Sequence, residues 1–266
     1  MSLPLFFLDS TFHTGRLSEA EDGKPVVVRL TAEDAKHLGV LRVRSGEHMV
    51  LSDGRGGAFE VELVEPAARA GQTCMVRLVA PVEPPRRPNL TLVQGVSKGE
   101  RMDLLVRQSV EIGVARIIPA ITARCIVKLD DRKRASRGER WRSIARSAAK
   151  QSGQPLVPEV VDPIDFAQAV ELAASEGDVV VVPWEESRSG AMSAVLREVD
   201  DDARVFLFIG PEGGFEEAEV DALRNIGAHV ISLGETILRT ETAGVIASAL
   251  AIYELGGLGN RGDADA

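Results

Sequence analysis

Three short segments of the chain carry residue types that could hold a small ligand. They are residues 183–186 (PWEE), 210–215 (GPEGGF) and 233–243 (LGETILRTETA), and each follows an apolar run that reads as a β-strand. Glycine in such segments lets backbone N–H and C=O groups approach a ligand closely, which suits an adenine edge or a carboxylate. The alternative is that the segments are only tight turns between strands and helices.

Signatures of other ligand sites are missing from the sequence. No GxGxxG lies between a strand and a helix, and GxxxxGK[ST] does not occur, which disfavours a Rossmann or P-loop nucleotide site. Cys74 and Cys125 form no CxxC pair, and the four histidines have no HxxxH or HxH spacing. We therefore expect no metal, and two buried thiols rather than a disulfide framework.

Charge is distributed unevenly along the chain. The net charge is −9, yet residues 86–157 hold sixteen Lys and Arg against six Asp and Glu, so this segment has a net charge of +10. The rest of the chain carries −19. Such asymmetry is expected when one surface of an acidic protein meets phosphate groups.

Within this basic segment, residues 140–151 are predicted to form a helix with a cationic stripe. Arg142, Arg146 and Lys150 recur every four residues, opposite an apolar face that includes Trp141. Like charges at this spacing destabilise an isolated helix by roughly 0.2–0.5 kcal/mol per pair. Contact with a phosphate backbone would explain both the stripe and the basic cluster at 132–137. A solvated charged face is the alternative.

The three candidate ligand-binding segments need a scaffold that brings them together. We predict strands at 90–95, 115–119, 179–182, 205–209 and 230–233, and helices at 100–111, 140–151 and 242–255. Apolar strands alternating with helices indicate an α/β fold with a parallel sheet covered on both faces. Ligands bind outside the carboxyl ends of such strands, so the three segments could wall one pocket. The last helix is apolar on almost every side, and we expect it to be buried between the sheet and something else, such as another subunit.

A different pattern precedes this scaffold. Strands are expected at 26–30, 48–52, 58–64 and 75–79, with a short helix at 32–38, which suggests a small β-barrel. Four prolines between residues 81 and 88 disfavour both helix and central strand there. The predicted organisation is a β-barrel at 1–80, an α/β domain at 81–256 and a disordered tail at 257–266.

The composition excludes several classes of protein. Hydrophobic residues make up 44% and charged residues 27% of the 266 residues, which is ordinary for a globular protein with a core. No run approaches the roughly 20 apolar residues of a membrane helix, and the N-terminal segment lacks the basic leader of a signal peptide. We expect a cytoplasmic protein without a membrane partner.

Several motifs in the right order strongly resemble those of the RsmE family. They are residues 94–103 (QGVSKGERMD), 111–114 (EIGV), 210–214 (GPEGG), 233–234 (LG) and 237–243 (ILRTETA), together with 37–42 and 52–54. The resemblance covers nearly the whole chain. It implies a PUA-like, RNA-binding N-terminal β-barrel and a C-terminal SPOUT α/β domain whose chain forms a trefoil knot.

The same resemblance implies an activity and partners. RsmE proteins are S-adenosylmethionine-dependent methyltransferases that modify N3 of a uridine in 16S ribosomal RNA, and they work as homodimers. The expected partner is 16S rRNA or the small ribosomal subunit, and not DNA. Two other classes stay open: an RNA-binding module without catalysis, and a nucleotide-binding enzyme of other chemistry. The glycine-bearing segments argue against the first, and the missing phosphate loop argues against the second.

Site residues follow from the resemblance and from membership of the three segments. The expected cofactor-binding residues are Pro183, Trp184, Gly210, Pro211, Glu212, Gly213, Leu233, Gly234, Ile237, Leu238, Thr242 and Ala243. The expected RNA-binding residues are Arg86, Arg87, Lys98, Arg101, Arg132, Lys133, Arg134, Arg137, Arg142, Arg146 and Lys150. Glu212, Glu241 and Arg239 are the catalytic candidates, to remove the N3 proton or stabilise the uracil anion. Alternatively, the two glutamates only occupy helix N-termini and Arg239 pairs with one of them.

Overall fold

The computed structural model describes residues 3–12, 17, 23–66, 71–188 and 190–258. The chain divides into two compact units, Met1–Pro85 with Ala149–Val157, and Arg86–Ala148 with Pro158–Ala266. The assignment of Ala149–Val157 to the first unit has no counterpart in the sequence-based division. From residue 259 onward, the predicted disordered tail lies outside the described residues.

The first unit contains a five-stranded mixed sheet. Its elements are β1 (Leu5–Phe7), β2 (Val26–Arg29), α1 (Ala32–Leu41), β3 (His48–Ser52), β4 (Ala58–Glu65) and β5 (Thr73–Pro81). The strand order is β1-β3-β4-β5-β2, with β1 and β3 parallel and the other pairs antiparallel. An antiparallel bridge between Leu8 and Leu30 also joins the residues that follow the two outer strands.

Alternation along the strands builds the core of the first unit. In β4, Val61 and Leu63 are fully buried while the residues between and beside them are partly exposed, as expected of a strand with one face on the core. Phe6 and Leu51 complete this buried cluster from the neighbouring strands. The unit therefore has a hydrophobic core of its own.

The second unit is an α/β structure. Its strands are β6 (Leu90–Gly95), β7 (Arg116–Ile121), β8 (Glu159–Val160), β9 (Ile164–Asp165), β10 (Val179–Pro183), β11 (Val205–Ile209) and β12 (His229–Ile231). Its helices are α2 (Arg101–Glu111), α3 (Asp131–Gln151, of which the last three residues belong to the first unit), α4 (Phe166–Glu176), α5 (Met192–Leu196), α6 (Glu217–Asn225) and α7 (Thr240–Glu254). The strand order is β12-β10-β11-β6-β7-β8, with β9 also paired to β7, and every pairing is parallel. The predicted parallel sheet is confirmed.

Central strands of this sheet are apolar along their whole length because both faces are covered. Every residue of β6 and β11 is buried. Such strands need helices on each side to exclude water from the sheet. Helix α7 supplies part of this cover, since it packs against β6, β11 and α2.

Helix α3 differs from the sequence-based expectation, and helix α7 shows which of its faces the rest of the chain leaves uncovered. Helix α3 begins at Asp131, nine residues earlier than predicted, so the basic cluster at 132–137 lies on the helix itself. Helix α7 is buried on one side only: Ile246, Leu250 and Tyr253 are 44%, 45% and 61% exposed. The sheet covers one side of α7, and the expectation that something else, such as another subunit, covers its other apolar face stays a prediction.

Among the described residues, no helix combines the length and the apolar character needed to cross a membrane. Within the same residues, no three His, Cys, Asp or Glu side chains come together in a way that could hold a metal ion.

Candidate functional site

The three segments 183–186, 210–215 and 233–243 meet at one edge of the second unit. They follow β10, β11 and β12, which are neighbours in a parallel sheet, so their carboxyl ends lie side by side. The backbone N–H of Trp184 donates a hydrogen bond of 3.0 Å to the carbonyl of Ile231. A Cβ on Gly214 would collide with Oε1 of Glu185, so the segments after β10 and β11 also touch.

A buried polar chain joins the end of β6 to these segments. The Gln94 amide nitrogen donates to Oγ1 of Thr240 at 2.9 Å and to the carbonyl of Gly210 at 3.3 Å. The Thr240 hydroxyl in turn donates to the Gly210 carbonyl at 2.6 Å. The first residue of α7 is therefore fixed against the loop that follows β11.

Glycine is required in this region for two different reasons. A Cβ on Gly95 would overlap the backbone nitrogen of Pro211, so β6 and the 210–215 segment approach too closely for any side chain. Gly234 has a φ of +115°, yet no protein atom lies within 4 Å of a Cβ built there. Substitution of Gly234 is therefore expected to strain the backbone, although no clash with another residue would result.

Glu212 is held by several donors. Its Oε1 accepts the backbone N–H of Lys98 at 2.9 Å and the Arg101 guanidinium at 2.8 Å. Partial burial raises the pKa of the Glu212 carboxyl, but the hydrogen bonds from Lys98, from its own backbone N–H and from Arg101 together bring the pKa below its ordinary value. Glu212 lies in the loop between β11 and α6 rather than at a helix N-terminus. Its carboxylate fixes this loop to the start of α2.

Glu241 lies in the first turn of α7, where negative charge is favoured. Its Oε1 is 3.8 Å from Nε of Arg101, whereas its Oε2 is buried and has no hydrogen-bond partner among the described residues. Arg239 is the exposed N-cap residue of the same helix, and within the described chain its side chain has no hydrogen bond or ion pair. Arg101, and not Arg239, is therefore the cation beside both candidate glutamates.

The remaining expected cofactor-binding residues occupy varied positions at this edge. Pro211 is buried, Leu233, Leu238 and Ala243 are partly buried, and Gly213, Ile237 and Thr242 are exposed. Pro183 ends β10. Trp184 belongs to the hydrophobic core, with the Arg224 guanidinium 5.3 Å from its ring centroid and its own Nε1 buried without a partner in the described chain.

The predicted cationic stripe on α3 does not consist of free charges. Arg142 pairs with Asp162 at 2.8 Å. The Lys150 ammonium pairs with Asp34 in the first unit, where both side chains are largely buried, and lies 5.7 Å from the centroid of the Phe6 ring. Arg146 also has an interaction partner. The four-residue spacing therefore reflects partly structural ion pairs, and Lys150 in particular stabilises the first unit.

Other residues expected to contact RNA fall into two groups. Arg86 pairs with Asp201 at 2.6 Å, Arg134 pairs with Asp165 at 2.7 Å, and burial lowers the pKa of Arg87 to about 10. By contrast, Arg132 and Arg137 have no hydrogen bond or ion pair in the part of the chain that the structure describes. Lys98 is exposed; its backbone N–H donates to Glu212, and its side chain has no partner among the described residues.

Sequence reasoning did not assign roles to Gln94, Thr240 and Arg124. The Arg124 guanidinium donates to the Gly213 carbonyl at 3.0 Å and so supports the loop after β11 from the loop after β7. Gln94 offers the one usable signal, because it is a polar residue at the end of an otherwise apolar strand. Partners of Thr240 and Arg124 lie at least 30 positions away and depend on the folded topology.

Comparison with known proteins gives consistent matches. The family model described as an RNA methyltransferase domain matches residues 84–252. Ribosomal RNA small subunit methyltransferase E of Bacillus subtilis is 31% identical, covering 85% of this chain and 89% of that protein. The protein of the same name from Mycobacterium bovis is 32% identical, covering 98% of this chain and 94% of its own length.

A solved structure extends the match to three dimensions. The crystal structure of ribosomal RNA small subunit methyltransferase E from Neisseria gonorrhoeae, bound to S-adenosyl methionine, superposes with a TM-score of 0.75. It is 31% identical, and the match covers 95% of this chain and 98% of that one. The sequence and structural matches span both units, and the chain therefore belongs to the ribosomal RNA small subunit methyltransferase E family.

Proposed function

We propose that this protein transfers a methyl group from S-adenosylmethionine to N3 of a uridine in 16S rRNA of the small ribosomal subunit. The observation that carries the proposal is the meeting of three loop segments, two of them glycine-bearing, at the carboxyl edge of β10, β11 and β12. The Neisseria gonorrhoeae relative, of the same family and fold, is bound to this methyl donor.

The residues at this edge fit such a donor. Two buried polar atoms here have no hydrogen-bond partner among the described residues: Trp184 Nε1 and Gln94 Oε1. Buried polar groups are normally hydrogen-bonded, and we take these unpartnered atoms as groups that a polar ligand could complete. Gly234, with its positive φ and open surroundings, lets backbone face the same region.

When bound, S-adenosylmethionine supplies an electrophilic methyl group carried on a sulfonium. Transfer to nitrogen is an in-line displacement, so fixed positions of donor and acceptor contribute much of the acceleration. The buried chain from Gln94 through Thr240 to Gly210 holds the walls of the donor site in place. This rigidity is what the protein contributes to positioning.

Uracil N3 carries a proton that must leave before or during methylation. We assign its removal to Glu241, because one oxygen of this carboxylate is buried and uncommitted while Arg101 lies beside the other. Glu212 is less suited to the task, since Lys98 and Arg101 already occupy it and its pKa is lowered. Exposed Arg239, two residues before Glu241, is assigned to stabilise the developing charge on the uracil.

The finer fold assignment is also part of the proposal. A PUA-like barrel for the first unit is supported by the Leu8–Leu30 bridge, which links the two outer strands of its five-stranded sheet. A trefoil knot in the second unit is supported by the close approach of Gly95 to Pro211, and by the hydrogen bond from Thr240 to Gly210. We further propose that RNA binds through the first unit and the basic segment.

A homodimer is proposed on the basis of α7. Its uncovered face presents Ile246, Leu250 and Tyr253, which are spaced by four and three residues and so lie on one side of the helix. Exposed apolar patches of this kind mark interaction surfaces. A second copy of the chain would cover them. Since small-subunit rRNA is the substrate, the cytoplasm is the proposed location.

Two measurements test the proposed function. Calorimetric titration should detect S-adenosylmethionine but not ATP, which separates a methyltransferase from a nucleotide-binding enzyme and from an RNA-binding module without catalysis. Incubation with labelled donor should place a methyl group on uridine N3, identified by nucleoside analysis of small subunits or stripped 16S rRNA, and activity should persist in excess EDTA. Donor binding without methylation of either RNA substrate would refute the proposed reaction.

A further inference from the structure

A cavity beside the start of α3 forms a second candidate site in the second unit. Its volume is about 510 Å³, and its lining is Val127, Lys128, Leu129, Asp130, Arg132, Lys133, Ser136 and Arg137. We propose that this cavity, called the 127–137 pocket, binds phosphate groups of the RNA backbone. The inference rests on the proposed function, because it names where that RNA is held.

Three unpaired positive charges converge in this pocket, whereas other unpaired cations of the basic segment, such as Arg107, lie outside it. Lys128, Arg132 and Arg137 make no ion pair or hydrogen bond with any residue that the structure describes, although all three line one cavity. Neighbouring arginines behave differently: Arg134 pairs with Asp165 and Arg142 with Asp162. Most of the segment's cations thus have acidic partners, while three without such partners converge.

Asp130 does not neutralise these three cations. Its carboxylate accepts the backbone N–H of Lys133 at 2.9 Å and lies 3.3 Å from the Lys133 ammonium. These contacts, led by the backbone hydrogen bond, lower the pKa of Asp130, so it stays charged near neutral pH and is balanced by Lys133. The net positive charge of the pocket is therefore left to Lys128, Arg132 and Arg137.

The placement of these charges is unfavourable for the helix itself. Arg132 and Lys133 lie in the first turn of α3, where the helix dipole disfavours cations. Lys133 and Arg137 are also four residues apart, a spacing at which like charges repel. An anion in the pocket would relieve both penalties.

The lining indicates which part of an RNA would be bound. Its apolar residues are Val127 and Leu129, and it contains no aromatic side chain on which a base could stack. Lysine and arginine contacts to phosphate position a nucleic acid without reading its sequence. The pocket therefore fits backbone phosphates of the RNA rather than a nucleobase or a free nucleotide.

The test compares two double variants of equal charge. Arg132→Gln/Arg137→Gln removes two cations of the pocket. The control, Arg107→Gln/Arg197→Gln, removes two exposed cations outside the pocket. These two also have no side-chain partner in the described chain. Affinity for unmodified 16S rRNA is measured against salt concentration for both. Each lost phosphate contact should lower the slope of log affinity against log salt by roughly 0.7–0.9, so the pocket variant should lose roughly 1.4–1.8.

The control variant should keep nearly the wild-type slope, and Arg132→Lys/Arg137→Lys should restore it because the charges return. Affinity for S-adenosylmethionine and the thermal unfolding midpoint should be unchanged in all variants. An equal loss of slope in both Gln variants would mean that net charge alone explains the effect, and it would refute phosphate binding by the 127–137 pocket. A wild-type slope in the pocket variant would also refute it, as would a higher affinity of the protein for inorganic phosphate than for RNA. Failure of the wild type to bind the donor or methylate RNA would instead refute the proposed function.

Discussion

The amide nitrogen of Gln94 lies 2.9 Å from the hydroxyl oxygen of Thr240, and both residues are buried. One is the penultimate residue of β6 and the other the first residue of α7, so 146 positions of sequence separate the two ends of this hydrogen bond. The bond fixes the end of the central strand to the start of the last helix. The pair also holds the Gly210 carbonyl, so two of the three segments of the proposed donor site are joined through it.

Removing the hydroxyl of Thr240 should therefore loosen the site. Thr240→Val leaves the Gln94 amide and the Gly210 carbonyl each short of one partner, which should lower the free energy of unfolding by about 1–3 kcal/mol. The affinity for S-adenosylmethionine should fall with it. Urea denaturation and calorimetric titration measure the two effects. Thr240→Ser keeps the hydroxyl and serves as the control; an equally large loss in that variant would mean that the hydrogen bonds are not responsible.

The approach of β6 to the loop after β11 gives a steric prediction. In Gly95→Ala the new methyl group would overlap the backbone of Pro211, which cannot rotate away. We therefore expect weaker donor binding. We also expect the free energy of unfolding to fall by more than about 2 kcal/mol, as for strongly strained core substitutions. Gly99→Ala is the matched control, because Gly99 has a φ of +69° but no neighbouring atom within 4 Å. Its cost should be near 1 kcal/mol. Equal unfolding midpoints in urea for the two variants would contradict the steric argument.

The sequence predicts the secondary-structure elements of this protein, but it does not predict contacts between residues that lie far apart in the chain. The parallel sheet is predicted from apolar runs such as Val205–Ile209, and the three segments of the candidate site are predicted from their place after such runs. Contacts such as Gln94 with Thr240 do not follow, since periodicity carries no information on which distant loops meet. The charge pattern on α3 shows the same limit: spacing suggests one exposed stripe, but Lys150 is occupied by Asp34, which lies 116 positions away.

The two glutamates near Arg101 should respond differently to neutralisation. Glu241→Gln should lower kcat by roughly 10²–10⁴-fold, the range for loss of a general base, with little change in donor affinity. Glu212→Gln should instead act mainly on stability, because the carboxylate anchors Lys98 and Arg101. Single-turnover methylation and donor titration separate the two. A larger fall of kcat in Glu212→Gln than in Glu241→Gln would reverse the assignment.

The lowered pKa of Glu212 adds a pH dependence with a definite sign. A carboxyl group whose pKa is lower in the folded state stabilises the fold at pH values above its unfolded pKa, ordinarily 4.5. This contribution is lost as the pH falls through the folded pKa. Wild type should therefore lose stability more steeply than Glu212→Gln on acidification below about pH 4.5. Parallel pH profiles of the unfolding free energy would contradict this reading.

The two thiols should differ in reactivity. Cys74 is buried in the first unit, and burial raises the pKa of its thiol from 9.0 to about 11, whereas Cys125 is only partly buried. A thiol reagent at pH 8 should spare Cys74 in the folded protein and label it after unfolding. Because the unfolded thiol ionises first, stability should fall as the pH rises from 9.0 towards 11, by up to about 3 kcal/mol. Cys74→Ala should remove this component; rapid labelling of Cys74 in the native protein would refute its burial.

The uncovered face of α7 predicts the oligomeric state. Ile246 and Leu250 are each nearly half exposed and lie one helical turn apart, and burying such side chains stabilises an interface by roughly 1.5–3 kcal/mol each. Replacing both by glutamate would place two charges in the proposed interface, where desolvation without partners is costly. Light scattering coupled to size-exclusion chromatography should give a dimer for the wild type and a monomer for Ile246→Glu/Leu250→Glu. Val40→Glu, at an apolar residue 67% exposed on α1, is the control and should stay dimeric. A monomeric wild type, or a double variant with the wild-type mass, would show that this face has another role.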